Sequence, residues 1–80
     1  MDKNTLVTRI AAIVTTLAEI NGSPESMLYI FCNMNMSEYE TIRDILRNAG
    51  LVKIAGNYVT LTDKGKRTAN ELNTVIRRES

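Results

Sequence analysis

The chain has 80 residues, of which 44% are hydrophobic and 24% are charged, and its net charge is +1; this length predicts one domain with a modest core. It has no histidine, which excludes serine–histidine and cysteine–histidine catalysis and histidine–metal sites, and neither a phosphate-binding glycine loop nor paired carboxylates are visible, so we expect no enzymatic activity, no metal and no cofactor. No apolar run reaches the about 18 residues of a membrane span, no secretion signal is visible and the single cysteine suits a reducing compartment, so we expect a cytoplasmic protein that does not enter a membrane.

The first predicted helix runs from about Asn4 to Ile20 and carries more apolar surface than one core contact needs. A helix packed on a core needs an apolar arc of only about 100°, whereas two neighbouring stripes here cover about half of the cylinder. Either the whole helix is deeply packed, or one stripe faces a second subunit. Gly22 is the expected left-handed residue at its end. The stripes are Leu6, Ile10, Ile13, Leu17 and Ile20, and Val7, Ala11, Val14 and Ala18.

A short second helix is predicted from Pro24 to about Asn33. Ser23 followed by Pro24 and an acidic residue is the pattern of an N-cap, a first-turn proline and a first-turn acid. We expect its inward stripe to be apolar and rich in methionine, because such stripes are usually core. That stripe would consist of Met27, Ile30, Phe31 and Met34.

The third helix is predicted from about Glu38 to Ala49. Ser37 and Glu40 have the spacing of a capping box, and Gly50 ends the helix. The outward face then carries Glu40, Asp44 and Arg47, flanked by Thr41, Arg43 and Asn48, and the inward face carries Tyr39, Ile42, Ile45, Leu46 and Ala49.

A β-hairpin follows, with predicted strands at Leu51–Ile54 and Tyr58–Leu61 around a Gly56-Asn57 reversal. An isolated two-stranded hairpin is marginal in water, so it must pack on the helices. Thr62 is the predicted N-cap of a last helix that runs to about Arg78. The apolar stripe of that helix is Ala69, Leu72, Val75 and Ile76.

The order of these elements, and the segment LRNAGLVKIAGNYVTLTDKG at residues 46–65, resemble the small winged helix-turn-helix regulators of bacteria, archaea and their viruses. The family pattern is a leucine, then Gly-Leu-Val, a polar hairpin tip, and Leu-Thr-x-x-Gly at the start of the last helix. The resemblance covers most of the chain. It implies a mainly α fold with a small β-hairpin, in which residues 1–80 form one winged helix-turn-helix domain of three helices, a hairpin wing and a C-terminal helix.

The resemblance also implies sequence-selective duplex DNA binding by a small transcriptional regulator, with the third helix in the major groove and the wing on the backbone. Charge agrees with an anion-binding surface in the second half, because residues 1–40 have two basic against five acidic side chains and residues 41–80 have eight against four. The resemblance assigns the groove to Ser37, Thr41, Arg43, Arg47 and Asn48. It assigns phosphate contacts to Lys53, Asn57, Lys64, Lys66 and Arg67.

The third helix has three acidic side chains against two arginines, and acidic groups repel phosphate. This favours an alternative function, a winged-helix protein-interaction module that uses the acidic third helix and the methionine-rich second helix. A viral or mobile-element modulator of a host protein would be of this kind.

The wide apolar arc of the first helix also predicts a homodimer through that helix, with the last helix alongside. The predicted interface residues are Leu6, Val7, Ile10, Val14, Leu17, Leu72, Val75 and Ile76.

Overall fold

The computed structural model describes the backbone of residues 2–79 and the side chains of residues 2–72. Within this part of the chain the helices are α1 (Lys3–Ile20), α2 (Glu25–Phe31), α3 (Met36–Asn48) and α4 (Asp63–Glu79). The strands β1 (Ser23–Pro24), β2 (Val52–Ala55) and β3 (Tyr58–Leu61) form an antiparallel sheet in the order β1-β3-β2. The prediction of a mainly helical fold with a small β-hairpin and a C-terminal helix is confirmed, and the arrangement matches a winged helix. None of the helices in residues 2–79 is long and apolar enough to cross a bilayer.

The core draws on all four helices and on the two hairpin strands. Val14 and Leu17, predicted to lie in a dimer interface, are 0% and 1% exposed and offer a second copy no surface. Leu6, Ile10 and Leu72 pack against the core and keep part of their surface exposed. The buried hydrophobic residues are Ile13, Val14, Leu17, Leu28, Met34, Tyr39, Ile42, Leu46, Val52, Val59 and Ala69.

Of the three remaining residues of the predicted dimer interface, the structure describes the side chain of one only. Val7 is 54% exposed and lies in the first half of α1. Val75 and Ile76 lie in α4 beyond the residues whose side chains are described. The predicted interface residues of α1 that keep exposed surface therefore lie in its amino-terminal half.

Helix α1 begins one residue earlier than predicted because Asp2 caps it. The Thr5 amide donates to Asp2 Oδ1 at 2.8 Å, and this hydrogen bond lowers the pKa of the Asp2 carboxyl. At the other end Asn21 adopts the left-handed conformation, with φ 58°, and Gly22 follows at φ 112°. Gly22 has the positive φ predicted for it, and Asn21 before it has a positive φ as well, because asparagine also tolerates this region.

The Ser23-Pro24 pair is a strand and not the start of α2. Ser23 pairs with Val59 and Pro24 pairs with Tyr58, so the hairpin gains a third strand. A proline pushes the residue before it into the extended region, and its missing N–H suits the edge of a sheet. Helix α2 consequently begins at Glu25, whose amide donates to the Asn57 carbonyl at 2.7 Å. It ends at Phe31, two residues before the predicted Asn33.

Helix α3 also begins earlier than predicted, because its capping box is Asn35 with Glu38. The Glu38 amide donates to Asn35 Oδ1 at 2.8 Å, and Glu38 Oε1 accepts the Asn35 amide at 3.5 Å. The pair has the same three-residue spacing as Ser37 and Glu40, and it comes first after the chain reverses at Asn33, where φ is 55°. Ser37 therefore lies inside the first turn. The helix ends at Asn48, one residue before the predicted Ala49.

The wing and the start of α4 follow the prediction closely. Strand β2 begins one residue later than expected, β3 has the expected bounds, and Gly56 turns the hairpin with φ 63°. Thr62 caps α4, since its Oγ1 accepts the Gly65 amide at 3.1 Å and donates to the Gly50 carbonyl at 2.6 Å. This one hydroxyl joins the end of α3 to the start of α4.

Candidate nucleic-acid interface

The outward face of α3 presents most of the predicted groove residues to solvent. Ser37, Thr41, Arg47 and Asn48 are all exposed. The Arg47 guanidinium lies 3.5 Å from Asp44 Oδ1 and its side chain is 56% exposed. An exposed pair at this distance is weak, so Arg47 is available to an external acceptor.

Arg43 is the predicted groove residue that the structure turns inward. Its Nη1 donates to Glu25 Oε2 at 2.9 Å, and its Nε and Nη2 donate to Asp44 Oδ1 at 3.3 and 3.2 Å. The hydrogen bond that Arg43 donates to Glu25 raises the pKa of the guanidinium, which stays charged. Arg43 thus joins α3 to the start of α2, and it has little freedom to reach a base edge.

The Arg43 guanidinium also lies over the ring of Tyr39, 5.9 Å from its centroid. Tyr39 is fully buried, and its ring is 6.1 Å from that of Tyr29. Its hydroxyl has no hydrogen-bond partner among the described residues, and burial, with the nearby Glu25 charge, raises its pKa. This cluster joins the start of α2 to α3.

The basic residues predicted to contact phosphate fall into two groups. Lys64 Nζ donates to the Ala49 carbonyl at 2.9 Å, so this lysine already satisfies the carboxyl end of α3. Lys53 on β2, and Lys66 and Arg67 on α4, are exposed and form no ion pair in the described part of the chain. The second group is therefore free to meet an external anion.

Asn57 both makes a structural hydrogen bond and exposes its side chain. Its carbonyl accepts the Glu25 amide, and its side chain is exposed at the wing tip. It therefore holds β3 to the start of α2 and still offers an amide to solvent. The wing tip is consequently fixed relative to α2.

Charge divides α3 into two ends. At the amino end Glu38 pairs with Arg9 of α1 at 3.1 Å, and the exposed Glu40 has no ion pair among the described residues. At the carboxyl end Arg47 lies near the start of α4, because Lys64 and Thr62 both bond to the last carbonyls of this segment. The side chains therefore place an exposed arginine near the carboxyl end and an unpaired carboxylate, Glu40, nearer the amino end.

The sequence interpretation missed an exposed apolar face on α2. Met27, Ile30 and Phe31, predicted to point inward, are 42%, 58% and 55% exposed. Leu28 is buried in their place, and Tyr29 and Cys32 pack against the core. The sequence does contain this second stripe at helical spacing, but spacing alone does not tell which stripe faces inward.

Metal binding has no support in the described residues, where no group of three or more potential ligands comes together. Cys32 is half-buried, burial raises the pKa of its thiol, and its Sγ lies 3.8 Å from Thr16 Oγ1. A thiol held protonated in this way is a poor nucleophile and a poor metal ligand.

The chain is similar in structure to ligand-free NadR, known from a crystal structure, with a TM-score of 0.82 and 21% sequence identity. The match covers 89% of this chain and 55% of the NadR chain, so this chain spans about half of that protein's length. At this identity the likeness shows a shared fold. No protein-family model and no curated protein matches the sequence.

Proposed function

We propose that the protein binds duplex DNA as a small transcriptional regulator, with α3 directed into the major groove and the wing against the backbone. One observation carries the proposal. Lys53, Lys66 and Arg67 are exposed and form no ion pair with any described residue. Lys53 and Arg67 lie on the wing strand that contacts α3 and in the first turns of α4, whereas Lys66 lines a cleft that α4 forms with α1 and β3. A duplex backbone rewards such an arrangement, because each neutralised phosphate releases counterions.

The groove contacts in this proposal come from the carboxyl half of α3. Arg47 has the geometry to read guanine, and Asn48 the geometry to read adenine. Thr41, near the middle of the helix, is a further exposed polar group, whereas Ser37 lies in the first turn and is farther from the bases in this arrangement. Because the unpaired Glu40 repels phosphate, we place the carboxyl half of α3, and not its amino end, nearest the duplex.

Two further parts of the proposal concern assembly and chemistry. The protein would act as a homodimer through the amino-terminal half of α1, where Leu6 and Ile10 are partly exposed and Val7 is exposed. A two-fold dimer would present two α3 helices to the two halves of a palindromic site. The protein would bind its target without catalysis.

Removing the free basic groups should weaken binding to every DNA sequence about equally. Lys53→Ala, Lys66→Ala and Arg67→Ala should each lower the slope of log affinity against log salt by about 1, because one phosphate contact is lost. Fluorescence polarisation with a labelled duplex at several salt concentrations measures this slope. Lys3→Ala, at the exposed start of α1, is the matched control and should leave it unchanged. Absence of binding to any duplex at low salt would disprove the proposal.

The two arginines of α3 should separate stability from DNA recognition. Arg43→Ala should lower the free energy of unfolding by about 1 kcal/mol, because its partly buried ion pair with Glu25 is lost. Arg47→Ala should leave stability nearly unchanged and weaken binding by about 1–3 kcal/mol to a duplex selected from a random pool, because a base contact is lost. Urea unfolding and polarisation measure the two quantities. If Arg47→Ala leaves the selected affinity unchanged, α3 does not read the groove.

A further inference from the structure

Helix α2 presents three large apolar side chains to solvent on one side. Met27, Ile30 and Phe31 are spaced by three and four residues, which makes them neighbours on a helix surface, and each is between 42% and 58% exposed. Met36, at the start of α3, is exposed as well. We call these four residues the α2 patch. Single exposed apolar residues are common, but three neighbouring ones on one short helix of a small domain indicate an interaction surface.

The composition of the α2 patch suits a helical partner. Two of its four members are methionine, a flexible side chain that adapts to different apolar surfaces and is frequent where proteins bind amphipathic helices. The helix that carries the patch is held to the rest of the fold by the buried Leu28 and by the Arg43–Glu25 pair. Binding therefore does not require α2 to fold first.

The charges of this region decide the kind of partner. Between Arg9 and Arg43 the sequence contains four acidic residues and neither lysine nor arginine. Glu40 lies one helical turn beyond Met36, is exposed, and forms no ion pair with any described residue. Arg43, which could offset this charge, is occupied by Glu25 and Asp44. Glu25 and Glu38 are themselves paired with Arg43 and Arg9, so the unpaired charge that remains beside Met36 is that of Glu40.

We propose that the α2 patch binds a basic amphipathic helix of another protein. The apolar side of that helix would cover Met27, Ile30 and Phe31, and its lysines or arginines would meet Glu40. A second copy placed patch to patch would instead bring like charges together, which disfavours that occupant. This interaction goes beyond DNA binding, and it uses α2 and the amino end of α3, whereas the proposed DNA contacts use the wing, α4 and the carboxyl half of α3, so either function can fail without the other.

A synthetic amphipathic helix of leucine and lysine is a suitable probe. When this peptide is titrated into ¹⁵N-labelled protein, it should shift the amide resonances of α2 and of the first two turns of α3. Added salt should weaken the binding of the peptide. Ile30→Ser should weaken binding by about tenfold or more, about 1.4 kcal/mol of affinity, without loss of helical circular dichroism, because Ile30 is exposed. Ile20→Ser, which removes an exposed apolar side chain at the carboxyl end of α1, is the matched control and should bind the peptide as the unmodified protein does.

Glu40→Gln separates this interaction from DNA binding. The substitution should weaken binding of the leucine–lysine peptide. Because a repulsive charge is removed, it should also strengthen non-specific DNA binding at low salt. Three results would overturn the proposal: no shifts in α2 with the basic peptide, equal binding of a matched leucine–glutamate peptide, or concentration-dependent shifts in α2 without peptide. The last result would mean that a second copy covers the patch.

Discussion

Gly65→Ala is expected to destabilise the protein although alanine is the better helix former. A Cβ at this position would overlap the carbonyl oxygen of Leu51, a backbone atom that already accepts the Thr62 amide at 3.0 Å. The gain in helix propensity is about 1 kcal/mol, whereas forcing such a contact costs about 3 kcal/mol or more. The net loss of about 2 kcal/mol should lower the Tm by about 10 °C, as scanning calorimetry would show.

Gly50→Ala provides the comparison for this experiment. A Cβ at Gly50 meets nothing within 4 Å, so the substitution strains only the backbone, whose φ is 76°. That strain costs about 1–2 kcal/mol, so Gly50→Ala should lower the Tm without moving the start of α4 against the wing. If Gly65→Ala is as stable as the unmodified protein, the close approach of α4 to Leu51 does not exist.

Val14→Glu is expected to prevent folding. Val14 is 0% exposed in the core, and an unpaired buried carboxylate costs several kcal/mol. A chain of this size has a total stability of only about 4–12 kcal/mol, so the loss takes most or all of it. Far-UV circular dichroism and urea unfolding measure the outcome. A folded, cooperative Val14→Glu protein would mean that this side chain does not face the core of its own chain.

Val7→Glu is the matched variant on the same helix. Because Val7 is half-exposed, the new charge can stay in water and the single chain should remain folded. If the protein is a dimer through the start of α1, light scattering should show dimer before the substitution and folded monomer after it. A monomer at tens of micromolar before the substitution would exclude the proposed dimer.

The two surfaces described above have different relations to the fold. The DNA proposal depends on the wing and on α4, which meet α3 at its carboxyl end through Thr62 and Lys64. The α2 patch depends on how the other end of α3 is joined to α2 through Arg43 and Glu25. Mutations at Arg43 should therefore disturb the α2 patch more than the basic surface.

The sequence by itself determined the features that arise within a few neighbouring residues. Thr62 caps α4, Gly50 and Gly56 take the positive φ values that end α3 and turn the wing, and β3 has its predicted bounds. Each of these rests on a local hydrogen bond or a backbone conformation that one residue type favours. They were sufficient to predict the order of elements and the fold class.

Only the tertiary structure decided the features that depend on residues far apart in the chain. Strand β1 exists because Ser23 and Pro24 find β3, more than thirty residues away in the sequence. Arg43 is held away from the proposed DNA contact by its hydrogen bond to Glu25, 18 residues away in the sequence. Lys64 donates a hydrogen bond to the carbonyl of Ala49, 15 residues away. Helical spacing is compatible with either of two apolar stripes on α2 facing the core. Because Leu28 packs into the core, the stripe of Met27, Ile30 and Phe31 stays exposed. Local patterns carry no information on such pairings, because their free energy appears only when the elements meet.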